Sequence, residues 1–203
     1  MRLSRIAIFY IAGGLVAILA AAFLLFPAAD VGEEAATDNA ELTALLDGDM
    51  KKLAFHPAPR PVPDTPFLSA EGGEARLSDY AGRHVLVNFW ATWCAPCRKE
   101  MPMLSQIQEE FGGARFEVVT IATGRNAPPA IKSFFEDIGV DNLPMHRDPT
   151  QELAREMGVL GLPITVILDP ENREIARMLG DADWSGDSAR ALIAALISPP
   201  EGS

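Results

Sequence analysis

Two short, nearly unbroken apolar runs stand out along the chain: His84 to Trp90 (HVLVNFW) and Phe116 to Ala122 (FEVVTIA). Runs of this length and composition predict strands buried on both faces. Between them Met101, Leu104, Ile107 and Phe111 recur at helical spacing, predicting a helix from about Cys94 to Phe111 with those four side chains in the core. Phe67 to Leu77 reads as a hairpin with Glu71-Gly72-Gly73-Glu74 at its tip, and Ser78 to Ala81 as a single helical turn. Helices are predicted over Pro128 to Ile138 and Thr150 to Met157, with a short strand around Pro144 to His146. Ile164 to Leu168 and Glu174 to Leu179 form a second hairpin around Asp169-Pro170-Glu171-Asn172. Ser185 to Leu196 closes the domain as a helix capped by Ser185 or Asp187. Strands alternating with helices argue for an α/β fold around a mixed sheet.

The N-terminal pattern is different. Ile6 to Phe26 is 21 residues without a charge, roughly 32 Å as a helix and enough to cross a bilayer core. Arg2 and Arg5 precede it, while Asp30, Glu33, Glu34 and Asp38 follow. This bias keeps the N-terminus in the cytoplasm and sends the body across. Small residues at Ala20 to Ala22, Ala28 and Ala29 offer a signal-peptide alternative, but cleavable apolar cores run about 7–15 residues, which favours an uncleaved anchor. Either reading exports the protein. Beyond it, 30–38 is Ala- and acid-rich, Ala40 to Leu46 suits a short helix ending near Gly48, and the five prolines from Pro57 to Pro66 suit an extended stem or a strand leading into the domain. The chain thus divides into an anchor (1–29, spanning helix 6–26), an acidic then proline-rich stem (30–64), a folded domain (65–197) and a tail (198–203). It contains no internal repeat.

Charge and cysteine content narrow the chemistry. The chain of 203 residues carries a net charge of −11, with 28 acidic against 17 basic side chains. Such a body is a poor partner for nucleic acid, whose binding rests on Lys and Arg meeting phosphates, and it repels anionic membrane surfaces, leaving membrane contact to the N-terminus. Its two cysteines both lie in Cys94-Ala95-Pro96-Cys97. A disulfide-stapled secreted domain would use more cysteines at wider spacing. A structural zinc site would need further ligands, and His56, His84 and His146 are not closely paired. Redox chemistry remains.

Placement gives the motif its weight, because it sits where a buried strand ends and a helix begins. A thiol at a helix N-terminus faces unpaired N–H groups and the positive end of the dipole, so Cys94 is expected to favour the thiolate and act as nucleophile. Arg98 and Lys99 add positive charge nearby. Cys97, one turn on and more buried, can attack the mixed disulfide formed by Cys94 and release the product. Pro96 costs little at a helix start, where its missing N–H would be unpaired.

The stretch Asn88 to Cys97 (NFWATWCAPC) resembles the active-site signature of the thioredoxin superfamily. Pro102, five residues past Cys97, resembles the family's kink proline, and Gly161-Leu162-Pro163-Ile164-Thr165 before a strand resembles its cis-proline loop. The resemblance covers about Lys51 to Leu196. It implies a thioredoxin-like fold, a central mixed β-sheet flanked by helices, with an N-terminal β-hairpin extension and an inserted helix behind the transmembrane helix. It also implies that Pro163 is cis and packs beside Cys94, that the Leu162 backbone offers an edge to a substrate peptide, and that Trp93 and Pro96 shape the substrate surface. Thioredoxins proper carry an aspartate where this chain has Asn88, so the anchored TlpA, ResA and CcmG groups are the better match. These have a glutamate three residues after the second cysteine, here Glu100, on the helix face of Cys97 and close enough to tune it. Leu45 to Met50 and Ile164-Thr165 after the proline are TlpA-like.

That resemblance implies a protein-disulfide reductase with no metal and no cofactor beyond a redox-active Cys94–Cys97 disulfide. TlpA-type proteins keep thiols of exported copper-handling proteins reduced for cytochrome oxidase assembly; ResA and CcmG types reduce apocytochrome c. Either would be single-pass in the inner membrane, face the periplasm and draw electrons from a CcdA/DsbD-like donor, with a potential nearer thioredoxin's than DsbA's. A copper carrier using Cys94, Cys97 and one histidine is the alternative of another class. A peroxidase would want threonine three residues before Cys94, where Ala91 stands.

Overall fold

The structure, a computed structural model, describes residues 39–198. The anchor at 6–26, the spacer at 30–38 and most of the tail lie outside the described residues. Within them, no helix is long and apolar enough to cross a membrane.

The strands are β1 (Ala54–Pro61), β2 (Phe67–Leu68), β3 (Glu74–Ala75), β4 (His84–Trp90), β5 (Phe116–Thr123), β6 (His146–Asp148), β7 (Ile164–Leu168) and β8 (Arg173–Leu179). From Gly48 onward the α-helices are α1 (Ala95–Phe111), α2 (Pro128–Ile138), α3 (Glu152–Glu156) and α4 (Asp187–Leu196), and residues 39–44 before them are also helical. One eight-stranded mixed sheet runs in the order β1-β8-β7-β4-β5-β6-β2-β3. β4 and β5 lie parallel at its centre, β5 pairs parallel with β6, and β7 pairs antiparallel with β4. A parallel pair needs a covered crossover, and α1 supplies it between β4 and β5. Both faces are dry, which explains the unbroken apolar character of the central strands. Leu86, Trp90 and Val118 join Met101, Leu104 and Ile107 of α1, Phe134 and Phe135 of α2 and Leu192 of α4 on one face. Val87, Phe89, Val119 and Ile121 join Leu153 and Met157 on the other.

The chain departs from the sequence reading at three places. The folded unit begins well before Thr65: β1, drawn from the proline-rich stretch read as a stem or a strand leading into the domain, is the sheet's edge strand and pairs with β8, Ala54 opposite Arg177 and Arg60 opposite Glu174. Prolines are tolerated there because an edge strand needs no donors on its outer side. His56 Nε2 meets Glu174 at 2.6 Å, and Arg177 Nε donates to the same carboxylate at 2.8 Å, tying β1 down. Burial raises the Glu174 pKa, but Arg177 and His56 together hold it below the usual carboxylate value. Ahead of β1, a 3-10 turn at Gly48–Lys52 buries Met50, and Leu46 and Leu53 flank it in the core. Second, neither Ser185 nor Asp187 caps α4; Gly186 is the N-cap, without a side-chain cap. The Ser185 N–H and hydroxyl instead donate to Asp183, at 3.0 and 2.6 Å. Third, the short strand falls at 146–148 rather than 144–146. The expected hairpin exists as β2–β3 and joins the sheet through β6.

Candidate functional site

β4 delivers the chain to a turn at residues 91–93, and α1 starts immediately after it. Cys94 is the α1 N-cap, in extended conformation, and its Sγ accepts the Cys97 N–H at 3.3 Å. The cysteine thereby takes the place that serine or aspartate commonly fills at a helix start. The two sulfurs are bonded, with S–S 2.00 Å. Cys97 is fully buried, Cys94 is 4% exposed, and Trp93 beside it is 70% exposed. Pro96 is half-buried in the first turn. Arg98 is engaged elsewhere: its guanidinium lies 4.5 Å from the Phe134 ring centroid and 3.7 Å from Asp137.

Glu100 lies one turn beyond Cys97 on the buried face of α1, with no exposed surface. It accepts hydrogen bonds from Asn88 Nδ2 at 3.1 Å and from Trp184 Nε1. Asn88 also donates to Thr165 Oγ1 at 2.9 Å, so β4, β7, α1 and the segment before α4 converge there. Desolvation pushes the Glu100 pKa up to about 7, against the opposing pull of the Trp184 and Asn88 hydrogen bonds. A surface carboxylate would do none of this. Asn88 Oδ1 is buried without a partner among the described residues.

The Leu162–Pro163 bond is cis, and Pro163 is buried immediately ahead of β7. Its carbonyl accepts the Gly180 N–H at 3.0 Å, placing the end of β8 beside the loop. Leu162 packs partly against both cores. Residues 160–162 make no backbone–backbone hydrogen bond among the described residues, which leaves polar groups open to an incoming strand. Leu160 and Leu179 add exposed apolar surface.

Two contributors were not singled out from the sequence. Asn126, 5% exposed, accepts from the Thr92 N–H at 2.8 Å and the Thr92 hydroxyl at 3.0 Å and donates to the Thr123 carbonyl at 2.8 Å, so it shapes the turn leading to Cys94. Trp184, fully buried, joins Glu100 from 84 positions away. An isolated asparagine before two prolines and an isolated tryptophan carry no periodic signal; only the fold brings them in. The histidines serve elsewhere. His56 binds Glu174, His84 begins β4 at the end opposite the cysteines, and His146 accepts the Ala70 N–H at 3.0 Å and meets the Tyr80 hydroxyl at 2.8 Å. No cluster of three metal-ligating side chains occurs among the described residues.

A family model described as AhpC/TSA matches residues 59–177. The thiol-disulfide oxidoreductase ResA of Geobacillus kaustophilus (strain HTA426) is 31% identical over 131 residues, covering 64% of this chain and 74% of that protein. ResA of Bacillus subtilis (strain 168) is 30% identical over 119 residues, covering 59% of this chain and only 65% of that protein's length. Among solved structures, a secreted thiol-disulfide isomerase from Corynebacterium glutamicum superposes with a TM-score of 0.60 at 29% identity, covering 74% of this chain and 93% of that one. Fold, motif and relatives agree: the chain belongs to the AhpC/TSA family, among its thioredoxin-like thiol-disulfide oxidoreductases.

Proposed function

We propose that the chain is an exported, membrane-tethered reductant of disulfides in client proteins. The observation that carries this reading is a paired Cys94 and Cys97 at the start of α1, the first at the helix mouth and the second sealed behind it. In the reduced protein the α1 N-terminus favours the Cys94 thiolate. That thiolate attacks one client sulfur, forming a mixed disulfide and expelling the other client sulfur as a thiolate. Cys97 then attacks Cys94, closing the Cys94–Cys97 disulfide and freeing the second client sulfur. Two electrons pass to the client, which takes up two protons. Glu100, able to hold a proton near neutral pH, is the positioning group for the Cys97 proton. Trp93, Pro96 and the Leu162–Pro163 loop would form the docking edge for the client segment.

The uncharged stretch 6–26 and its flanking charges support single-pass anchoring in the inner membrane, with the domain facing the periplasm. A reductant in an oxidising compartment must be recharged across the membrane, which suits a CcdA/DsbD-like donor. For the client, copper-handling proteins of oxidase assembly follow from the TlpA-like features, while the ResA names of the relatives favour apocytochrome c. A copper carrier has less support, since all three histidines are engaged or distant from the cysteines.

The redox potential tests the direction of electron flow. Equilibration in dithiothreitol buffers is expected to give a value near thioredoxin's, about −270 mV; a value near DsbA's, about −120 mV, would make the protein an oxidase and overturn the reading.

A further inference from the structure

We infer that Arg125 is a specificity residue that selects client disulfides flanked by an acidic side chain. The inference rests on the reductase reading and names the clients that site takes.

Arg125 lies in the loop between β5 and α2 and is exposed. The loop is fixed to the active site, because the next residue, Asn126, is buried and binds both the Thr92 N–H and the Thr92 hydroxyl. Thr92 precedes Cys94 by two positions, with Trp93 between them. The anchor that shapes the turn into Cys94 therefore also holds the neighbouring residue, Arg125, close to that turn. Its charge is available. Arg76, Arg83, Arg98, Arg173, Arg177 and Arg190 each pair with a carboxylate, whereas Arg125, like Arg60, Arg115 and Arg147, makes no ion pair or side-chain hydrogen bond among the described residues, and of these four only Arg125 lies in the loop held to Thr92. Its guanidinium is therefore uncommitted, in a loop tied to the turn that leads into Cys94.

Apart from Lys99, exposed on α1, the rest of the surface there carries no free charge. Trp93, Leu160 and Leu179 are exposed and apolar, and the 160–162 backbone offers hydrogen bonds to any extended segment. These features give a client surface and direction without choosing among sequences. Arg125 supplies the choice, since its planar fork matches a carboxylate. A client with Asp or Glu beside its cysteine would be held with that carboxylate on Arg125 while Cys94 attacks.

The test uses the full chain in neutral detergent, reduced and freed of reductant. It is mixed with peptides bearing an intramolecular disulfide, identical except for Glu, Gln or Lys beside one cysteine, and single-turnover reduction is followed by thiol trapping and mass spectrometry. The Glu peptide is expected to react about fivefold faster than the Lys peptide at low ionic strength, with the ratio shrinking in salt. Arg125→Gln should erase the preference and Arg125→Glu reverse it. Lys99→Gln, which removes a cation on α1, should leave it intact. The rate and pH profile with uncharged hydroxyethyl disulfide should be the same in wild type and Arg125 variants. The inference is overturned by equal rates for all three peptides, by a preference that survives Arg125→Glu, or by a displaced pH profile with hydroxyethyl disulfide, which would make Arg125 a tuner of Cys94. If the reduced chain turns over neither peptide nor hydroxyethyl disulfide, the reductase reading fails first and the inference with it.

Discussion

Cys94 and Cys97 share one helical turn but not one environment, and each has its own experimental signature. Cys94→Ser should reduce insulin-disulfide turnover to the uncatalysed background, because no other thiol remains at the helix mouth. Cys97→Ser should still attack but stall, accumulating a mixed disulfide visible on a non-reducing gel. Glu100 makes a different prediction. Its folded pKa, about 7, lies above the ordinary 4.5, so the folded protein keeps a proton that the unfolded chain has released. Stability contributed by this proton is complete below about 4.5 and is lost as pH rises through about 7, a loss on the order of 3 kcal/mol. Glu100→Gln keeps the side-chain shape without the ionisation. Urea unfolding at pH 5 and pH 8 should show a clearly smaller loss of stability at the higher pH in the variant. An unchanged difference would place the titration elsewhere.

At the scale of elements, the β2–β3 hairpin depends on a neutral histidine. His146, at the start of β6, accepts the Ala70 N–H through Nδ1, which leaves the ring proton on Nε2, facing the Tyr80 hydroxyl. Burial lowers its pKa below the usual 6.5, with the Glu71 carboxylate opposing. The folded state thus takes up its proton later than the unfolded chain as pH falls, and the contribution of His146 is present above about 6.5 and lost below it. This sign is opposite to that of Glu100, so whole-protein curves mix the two. Amide exchange at Ala70 separates them: its protection factor should fall between pH 7 and pH 5 while amides of β4 and β5 keep theirs. The edge strand β1 makes the complementary point. Its prolines suited either a stem or a strand leading into the domain, and the choice was settled by β8, a partner more than 100 positions away, together with the His56–Glu174–Arg177 contacts.

On the scale of the whole molecule, residues before Thr65 hold the two ends of the domain together. Ser188 of α4 accepts the Asp47 N–H and donates to the Leu45 carbonyl, and Lys52 Nζ donates to the Asp181 carbonyl, near the Trp184 that binds Glu100. A chain beginning at Thr65 should therefore unfold at least about 10 °C below one beginning at Asn39, since it loses β1 and the buried Leu46, Met50 and Leu53. Equal melting temperatures by circular dichroism would show this segment to be dispensable. What the sequence determined by itself was local or periodic. The central strands at 84–90 and 116–123 follow from apolar runs that only a doubly covered sheet can hide, α1 from apolar side chains at helical spacing, and the position of the cysteine pair from the junction of strand and helix. Tertiary structure decided everything that rests on contacts between distant residues: the recruitment of β1, the union of Asn88, Thr165 and Trp184 around Glu100, and the hold of Asn126 on Thr92. The physical reason is that the burial of a carboxylate, or the pairing of an edge strand, depends on which remote groups fold against it, and no periodicity along the chain encodes that.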